Sequence, residues 1–285
     1  MPTMREVLLT HKLRILSYNP GSKSANALRD YWQQYSKKKI FIVTNEKYQD
    51  AHDKILYNWG SSSSPRLLRG KNLAGVPDNY VRHYANKISF FREFSDCGAV
   101  NNTTDAAVAQ GWLASGRTVV ARHSVTAHSG LGMQIIGPSG ELYCAEDVRN
   151  RSWLQAKLLT EYFAKSHEYR VFVLDNRAVL VRRKRKANDA EEAGGYSKYV
   201  RVHSTGWNFC AVDSADVPQI VVDTAVHAYR KVGTHGLVAF DVGYKQTTNE
   251  AALFEGNTAP GLEGETVKII GDAILDAELR QYSVV

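Results

Sequence analysis

The stretches Ala239-Phe240-Asp241 and Leu253-Phe254-Glu255-Gly256-Asn257-Thr258-Ala259-Pro260-Gly261 carry the strongest structural signal in this chain. Each is predicted to form a β-strand, with Asp241 closing the first, and a short polar turn precedes the second. Alternate side chains of a strand point to one face, so Glu255 and Asn257 share a face and the glycine between them turns away. With Asp241 they offer oxygen atoms that suit Mg²⁺ bound to a nucleotide. Taken alone, the same residues are also explained as a solvated turn.

The composition combines an ordinary apolar content with an excess of positive charge. The 285 residues are 44% apolar and 23% charged, which allows a large buried core. Lysines and arginines number 36 against 29 acids, giving a net charge of +7 that favours an anionic partner such as a nucleotide, a nucleic acid or an acidic peptide. Because no apolar run reaches the roughly 20 residues of a membrane span and no signal-peptide pattern is present, no membrane association and a cytoplasmic location are expected.

The order of predicted strands and helices divides the chain into three regions. In residues 1–80, two β-rich runs flank a polar helical stretch, which indicates a small βαβ unit. Residues 81–157 contain helices and a strand that ends at Arg122. Residues 158–285 contain a hairpin that turns at Asp175-Asn176, a helix and the two strands described above. The predicted fold class is therefore α/β, or α+β.

A loop rich in small and hydroxyl-bearing residues follows the strand that ends at Arg122. It contains Ser129, Gly130 and Gly132, and glycine lets backbone N–H groups approach phosphate oxygens because it has no Cβ. The loop lacks the Gly-Lys-Ser/Thr of a Walker A sequence. Taken alone, it is also explained as a plain hairpin turn.

Five consecutive cations, Arg182 to Lys186, end one arm of the predicted hairpin. Together with Tyr196, Tyr199 and Trp207, this run suggests nucleic-acid binding, in which cations neutralise phosphates and aromatic rings stack on bases. A basic protein that binds or modifies nucleic acid is therefore one functional hypothesis.

Over the last two thirds of the chain, the motifs resemble those of the ATP-grasp superfamily. Asn86-Lys87 and the phenylalanines after it are similar to the family's opening helix, whose lysine reaches the nucleotide phosphates. Arg122 stands where the family has its second phosphate-binding cation, usually a lysine, and residues 129–133 correspond to the lid loop. Asn257-Thr258-Ala259-Pro260-Gly261 is close to the usual Asn-x-x-Pro-Gly ending. The resemblance implies an ATP-grasp fold preceded by a small pre-ATP-grasp domain.

The segment that begins at Glu161 resembles the linker with which the family binds adenine. The resemblance implies that Glu161 accepts a hydrogen bond from the adenine amino group. It further implies that Tyr162 and Phe163 offer backbone groups to the ring edge, and that Glu168 binds the ribose hydroxyls. Carboxylates are suited to both tasks because they accept from amino and hydroxyl donors.

The catalytic cations implied by the resemblance lie on the two arms of the predicted hairpin. Arg170 and Lys184 would contact phosphate or acyl phosphate, and Lys184 would also contribute to nucleotide binding. Lys186 lies two residues further on the same strand face and is an alternative to Lys184. The implied metal ligands are Asp241, Glu255 and Asn257.

The activity implied by the resemblance is ATP-dependent ligation of a carboxylate to an amine, or less often a thiol. The reaction would pass through an acyl phosphate and release ADP and phosphate. The implied cofactors are ATP and one or two Mg²⁺ ions, with Mn²⁺ as a substitute, and the substrate would be an amino acid, a peptide or a protein tail. The compact arrangement is also similar to ATP-grasp chains encoded by bacteriophages.

Overall fold

The computed structural model describes residues 1–44, 54–62, 72–127, 130–188, 196–280 and 282–283. Within this part of the chain, the strands form three five-stranded sheets. No helix of the described residues is long and apolar enough to cross a membrane.

The first sheet belongs mainly to the N-terminal region and has the strand order β15-β4-β3-β1-β2. Strands β1 and β2 are parallel and are joined through helix α2, which confirms the predicted βαβ unit. Ser22 caps α2 by accepting from the Ala25 amide, and Leu28 and Trp32 follow at helical spacing and are buried. The elements of this region are α1 (Met4–Thr10), β1 (Lys12–Ser17), α2 (Lys23–Gln33), β2 (Phe41–Val43), β3 (Lys54–Trp59), β4 (Asn72–Gly75) and β15 (Tyr282–Ser283).

The second sheet is antiparallel and has the strand order β5-β9-β6-β7-β8. Ala109 and Trp112 of helix α5 pack against its apolar face. Strand β9 continues this sheet past residue 157, where the sequence predicts a domain boundary. The elements are β5 (Asn102–Thr103), α5 (Ala106–Ala114), β6 (Val119–Arg122), β7 (Met133–Gly137), β8 (Gly140–Cys144) and β9 (Leu158–Glu161).

The third sheet is antiparallel and has the strand order β12-β11-β10-β13-β14. The predicted hairpin is present between β10 and β11, where Asp175 and Asn176 have φ values of 48° and 65°. These angles are the left-handed conformation that a tight two-residue hairpin requires. The strands are β10 (His167–Leu174), β11 (Arg177–Lys186), β12 (Trp207–Ala211), β13 (Val238–Lys245) and β14 (Glu250–Asn257).

One boundary in this sheet differs from the prediction. Strand β13 does not close at Asp241 but continues to Lys245, so Asp241 lies in its middle. The additional residues keep pairing with β10 and β14. Gly243 supports this extension because Phe254 and Phe163 occupy the space that a side chain would need there.

Helices cover the face of the third sheet opposite Asp241 and also join this sheet to the N-terminal region. Phe94 of the turn after α4 packs against Phe240 of β13 at a ring-centroid distance of 6.1 Å. Helix α7 packs against α2, where the Trp32 indole N–H donates to the Gly271 carbonyl over 3.2 Å. The helices are α3 (Asp78–Ala85), α4 (Lys87–Glu93), α6 (Gln219–Val232) and α7 (Glu265–Asp276). The predicted domain boundaries after residues 80 and 157 stay predictions.

Gly256 provides a test of how β14 is oriented. A Cβ at this position would lie 2.5 Å from Cδ1 of Tyr84 and 3.1 Å from Cε2 of Phe90. Gly256→Ala should therefore lower the free energy of unfolding by about 1–3 kcal/mol, the usual cost of overpacking. Gly111→Ala is the matched control because its Cβ meets open space within α5, and it should raise stability by up to about 1 kcal/mol. Urea unfolding measures both, and a Gly256→Ala protein as stable as the wild type would contradict this packing.

Candidate active site

A cavity of about 1110 Å³, here called the cleft, lies between the third sheet, the second sheet and the N-terminal region. Single small-molecule sites usually measure about 300–1,000 Å³, so the cleft is large enough for a nucleotide. Its floor is the third sheet, and residues of β6, β7 and β9 line its opposite side.

Strand pairing arranges charged side chains across the floor of the cleft. Arg170 of β10 stands opposite Arg182 of β11 on one side and opposite Asp241 of β13 on the other. Asp241 in turn stands opposite Glu255 of β14. Directly opposed residues project from the same face of a sheet, and all of these residues line the cleft. We call Arg182, Arg170, Asp241 and Glu255 the charged row.

Arg170 and Asp241 form the tightest ion pair of the charged row. Arg170 Nε donates to Asp241 Oδ1 over 2.7 Å, and Nη2 donates to Oδ2 over 2.9 Å. This is the bidentate geometry in which a guanidinium binds a carboxylate most strongly. Burial raises the pKa of the Asp241 carboxyl, but the positive charges of Arg170 and Lys184 lower it by more than burial raises it. The pKa therefore lies below its ordinary value. Asp241 is therefore ionised.

A second set of charges lies two residues along the same strands. Glu168 of β10 accepts a hydrogen bond from Lys184, and its Oε2 lies 3.6 Å from Nζ of Lys165. The Lys165 ammonium also lies about 5 Å from the ring centroids of Tyr162 and Phe254. Burial lowers the pKa of Lys165 to about 8, while Glu168 opposes this shift. The carboxylate predicted to bind ribose thus has two cationic partners.

The two predicted phosphate cations, Lys87 and Arg122, both interact electrostatically with Glu255. Asn86 caps α4 by accepting from the Ile88 and Ser89 amides, which places Lys87 in the first turn. Lys87 Nζ lies 3.5 Å from Glu255 Oε2, and Arg122 Nε has no hydrogen-bond partner among the described residues.

Burial lowers the pKa of both Lys87 and Arg122, and the nearby Glu255 carboxylate opposes the shift in each. Two desolvated cations that share one carboxylate leave an excess of positive charge. Phosphate oxygens would balance that excess.

The glycine-containing loop follows β6 at the edge of the cleft. The Gly132 amide donates to both carboxylate oxygens of Asp147, over 3.1 and 3.0 Å, so this amide has an internal partner. Gly130 lines the cleft, and a Cβ there would lie 3.1 Å from Val200. Ser129 lies outside the described residues. Phosphate binding by this loop stays a prediction.

The predicted adenine linker begins at the end of β9 and lines the cleft. Glu161 accepts from Asn101 Nδ2 over 2.9 Å and from Arg117 Nη1 over 3.2 Å, which fixes its carboxylate. The Tyr162 amide donates to the Thr118 carbonyl, so that N–H is already used within the protein. Phe163 faces the Phe254 ring at a centroid distance of 6.1 Å. The linker therefore combines aromatic surfaces with one fixed acceptor, which suits a flat base.

The three predicted metal ligands, Asp241, Glu255 and Asn257, all line the cleft. The Asn257 side-chain oxygen accepts from the Ala259 amide over 3.0 Å, which orients it. Among the described residues, no group of three or more His, Cys, Asp or Glu side chains gathers at one point. Two carboxylates and an amide oxygen are nevertheless the kind of donors that Mg²⁺ takes when water and phosphate complete its shell. By donor type these residues suit the ion that the resemblance implies, and both Asp241 oxygens also accept from Arg170.

Three cleft residues are not among the site residues that the resemblance implies. Lys165 lies between Phe163 and Glu168 of the predicted adenine linker, but the resemblance assigns it no function. Arg182 was assigned only to the basic run, yet its Nη2 donates to Thr266 Oγ1 of α7 over 2.9 Å. The Phe209 ring lies 4.2 Å from Arg170 Cζ and 4.9 Å from Lys184 Nζ. Only the register between β11 and β12, which pairs Lys184 with Phe209, identifies the last of these.

Comparison with solved structures identifies the architecture. PsnB, an ATP-grasp ligase solved with its minimal precursor, superposes with a TM-score of 0.63 at 11% identity, over 93% of this chain and 98% of PsnB. D-alanine–D-alanine ligase from Bacillus anthracis gives a TM-score of 0.58 at 13% identity, over 88% of each chain. A RimK domain ATP-grasp protein from Sphaerobacter thermophilus DSM 20745 gives 0.57 at 12% identity, over 92% of this chain and 98% of that one.

The chain has the ATP-grasp fold, which confirms the fold expected from its motifs. No protein-family model and no curated protein matches the sequence. At such low identities, the structural likeness establishes the fold alone. Apart from Gly132, which does not line the cleft, and Ser129, which lies outside the described residues, the site residues predicted from the resemblance are brought together in one cleft. Their roles stay predictions.

The low pKa of Lys165 has a measurable effect on stability. The folded pKa of about 8 lies below the ordinary value of 10.5, so between these values the unfolded chain binds a proton that the folded chain lacks. Stability therefore rises with pH in this window because of Lys165. Measured by urea unfolding, the stability of the wild type relative to Lys165→Met should increase from pH 8 towards 10.5. A difference that stays constant over this range would contradict a buried, destabilised ammonium.

Proposed function

We propose that this protein is an ATP-dependent ligase that joins a carboxylate to an amine, or less often a thiol, through an acyl phosphate. The observation that carries this proposal is the charged row, which places two arginines and two carboxylates on one strand register at the floor of the cleft. The similarity of the fold to ATP-grasp ligases supports it.

The geometry of the floor supports one direction for the nucleotide. The base would lie against Tyr162 and Phe163 with its amino group at Glu161, and Glu168 would meet the ribose. Alternate residues of a strand are about 6.5 Å apart, so the phosphates would then extend from Glu168 to the charged row. Lys87 and Arg122 line the cleft near Glu255 and would bind the phosphate oxygens.

The oxygens of Asp241, Glu255 and Asn257 would hold one or two Mg²⁺ ions, or Mn²⁺ in their place. When bound there, the ion would neutralise part of the negative charge of the phosphates. Arg170 already compensates the charge of Asp241 in this structure. The structures of PsnB with Mg and ADP, and of D-alanine–D-alanine ligase with ATP, support this choice of cofactors.

The proposed reaction has two steps. A carboxylate oxygen of the substrate attacks the γ-phosphorus of ATP, and the bond from that phosphorus to ADP breaks. An amine nitrogen then attacks the acyl carbon, phosphate leaves, and the nitrogen loses a proton. Arg170 and Lys184 would orient the transferred group and balance its charge, which is the main contribution of a protein to phosphoryl transfer. No side-chain nucleophile is needed.

The substrate class has support from two of the similar structures. PsnB was solved with a precursor peptide, and the D-alanine–D-alanine ligase is named for joining two amino acids. The cleft volume also leaves space beside a nucleotide. We therefore propose an amino acid, a peptide or a protein tail as the carboxylate substrate.

The basic run gives less support to nucleic-acid binding. Tyr196 and Trp207 stack on each other with a centroid distance of 6.0 Å, and Lys186 and Arg201 lie over their rings. Ring faces that are covered by another ring or by a cation are less accessible for stacking with nucleic-acid bases. Within the run, Lys184 pairs with Glu168 inside the cleft.

Glu255→Gln and Asn257→Ala test the proposed metal ligands. Glu255→Gln removes the charge of one oxygen donor, and Asn257→Ala removes another donor altogether. Both changes should reduce ADP release to background while the fold stays intact. ADP release is measured while candidate acids and amines are screened together with ATP and Mg²⁺. Glu250→Gln, an exposed change on the same strand, is the control and should retain activity. Unchanged turnover in either test variant would contradict the metal assignment.

Lys87→Met and Arg122→Gln test the phosphate cations. A hydrogen bond to a charged group contributes roughly 1.5–3 kcal/mol, so each change should weaken ATP binding by about tenfold to a hundredfold. Isothermal titration calorimetry gives the dissociation constants. Lys268→Met, an exposed change of equal charge on α7, is the control. ATP affinity equal to the wild type would remove the substituted residue from the site.

A further inference from the structure

Strand β12 forms one edge of the third sheet and borders the cleft. Its register pairs Lys186 with Trp207 and Lys184 with Phe209, without a bulge. The Ala187 amide donates to the Gly206 carbonyl, whereas the Trp207 amide turns to the Val202 carbonyl. Lys186 and Trp207 are therefore a pair that does not exchange backbone hydrogen bonds.

Hydrogen-bonded and non-hydrogen-bonded pairs alternate along antiparallel strands. Because Trp207 belongs to the second kind, so do Phe209 and Ala211. Their backbone N–H and C=O groups point away from β11, and no described residue gives either of them a backbone partner on that side. Among the described parts of the chain, this side of β12 is therefore an open row of hydrogen-bonding groups.

Open edges normally carry features that prevent pairing with another chain, such as lysine, proline or a bulge. The sequence of β12, Trp-Asn-Phe-Cys-Ala, has no charged residue and no proline. An edge without such protection is suited to accept an extended peptide as an additional strand.

The charges next to this edge favour an acidic peptide. Strand β11 carries Arg182 to Lys186, of which Lys184 is already paired with Glu168. An added strand would lie about 10 Å from β11, which is comparable to the screening length of about 8 Å at physiological salt. Arg201 adds a further cation beside Trp207. Asp213 and Asp216 follow β12 and place opposing charge at its far end.

The side chains of an added strand would alternate between the two faces of the sheet. Phe209 lies on the cleft face, opposite Lys184, and its ring contacts Arg170 and Lys184. Every second side chain of a peptide paired with β12 would therefore point to the side where the charged row lies.

We propose that the outer edge of β12 binds an extended acidic peptide segment and presents its carboxylates to the cleft. The inference rests on the proposed ligase function and names its substrate as an acidic polypeptide. Backbone pairing supplies the binding, the neighbouring cations supply the selection for acidic residues, and the alternation of side chains directs every second carboxylate to the cleft.

Fluorescence polarisation of a labelled oligoglutamate peptide, with neutral ends, tests the proposal. Ala211→Pro removes an outward N–H without touching the bonds to β11, a position where an edge strand tolerates proline. It should weaken peptide binding by about tenfold, the effect of one hydrogen bond. Ala211→Val keeps the N–H and should bind like the wild type.

Arg185→Glu is a second variant that leaves the backbone unchanged and should also weaken peptide binding, whereas Arg185→Lys should not.

ATP binding is measured on every variant. Intact ATP binding shows that the fold of a variant is preserved, and absence of ATP binding from the wild type would instead refute the proposed ligase function. Wild-type protein that binds ATP but not the peptide, or peptide binding that Ala211→Pro leaves unchanged, would overturn the edge proposal. Tighter binding of an RNA oligonucleotide that Ala211→Pro does not affect would assign the basic surface to nucleic acid and overturn it as well.

Discussion

The buried ion pair between Arg170 and Asp241 is the interaction on which the cleft depends. Removing a charge from water costs several kcal/mol, so a buried pair persists only with close geometry and further partners. Asp241 has both: two short bonds to Arg170, and Lys184 3.8 Å away. Lys184 in turn donates to Glu168. The series Arg170, Asp241, Lys184 and Glu168 thus alternates in charge, and loss of one member would leave its partner uncompensated.

This arrangement explains how one surface can hold opposite charges at fixed positions before any ligand arrives. The strands set the spacing, and the pairing register sets which charges stand opposite each other. The aromatic ring of Phe209 further restricts Arg170 and Lys184 from the side. Preorganised dipoles and charges need little reorganisation during a reaction, which is why such a floor suits the transfer of a highly charged group.

Local sequence patterns predicted the elements that have local causes. The Asp175-Asn176 turn, helix α2 and strand β6 follow from turn chemistry and apolar spacing, and the order of cations and acids indicated the fold by resemblance. The prediction that β13 ends at Asp241 was wrong. The end of this strand depends on long-range pairing and on the space that Gly243 leaves for Phe254. The places of Lys165, Arg182 and Phe209 in the cleft were not predicted, because they depend on the packing and register of distant strands.

The contact between Trp32 of α2 and Gly271 of α7 has a consequence for how the polypeptide acquires its shape during synthesis. These residues are 239 positions apart, and the amide of Met4 likewise donates to the carbonyl of Ala277. Strands β1 to β4 emerge from the ribosome long before α7, so the part of α2 that contacts α7 stays uncovered until α7 has been made. Such late closure slows folding and exposes the nascent chain to aggregation. Chaperone assistance would therefore matter most for α2 and the strands around it in the interval before α7 is made.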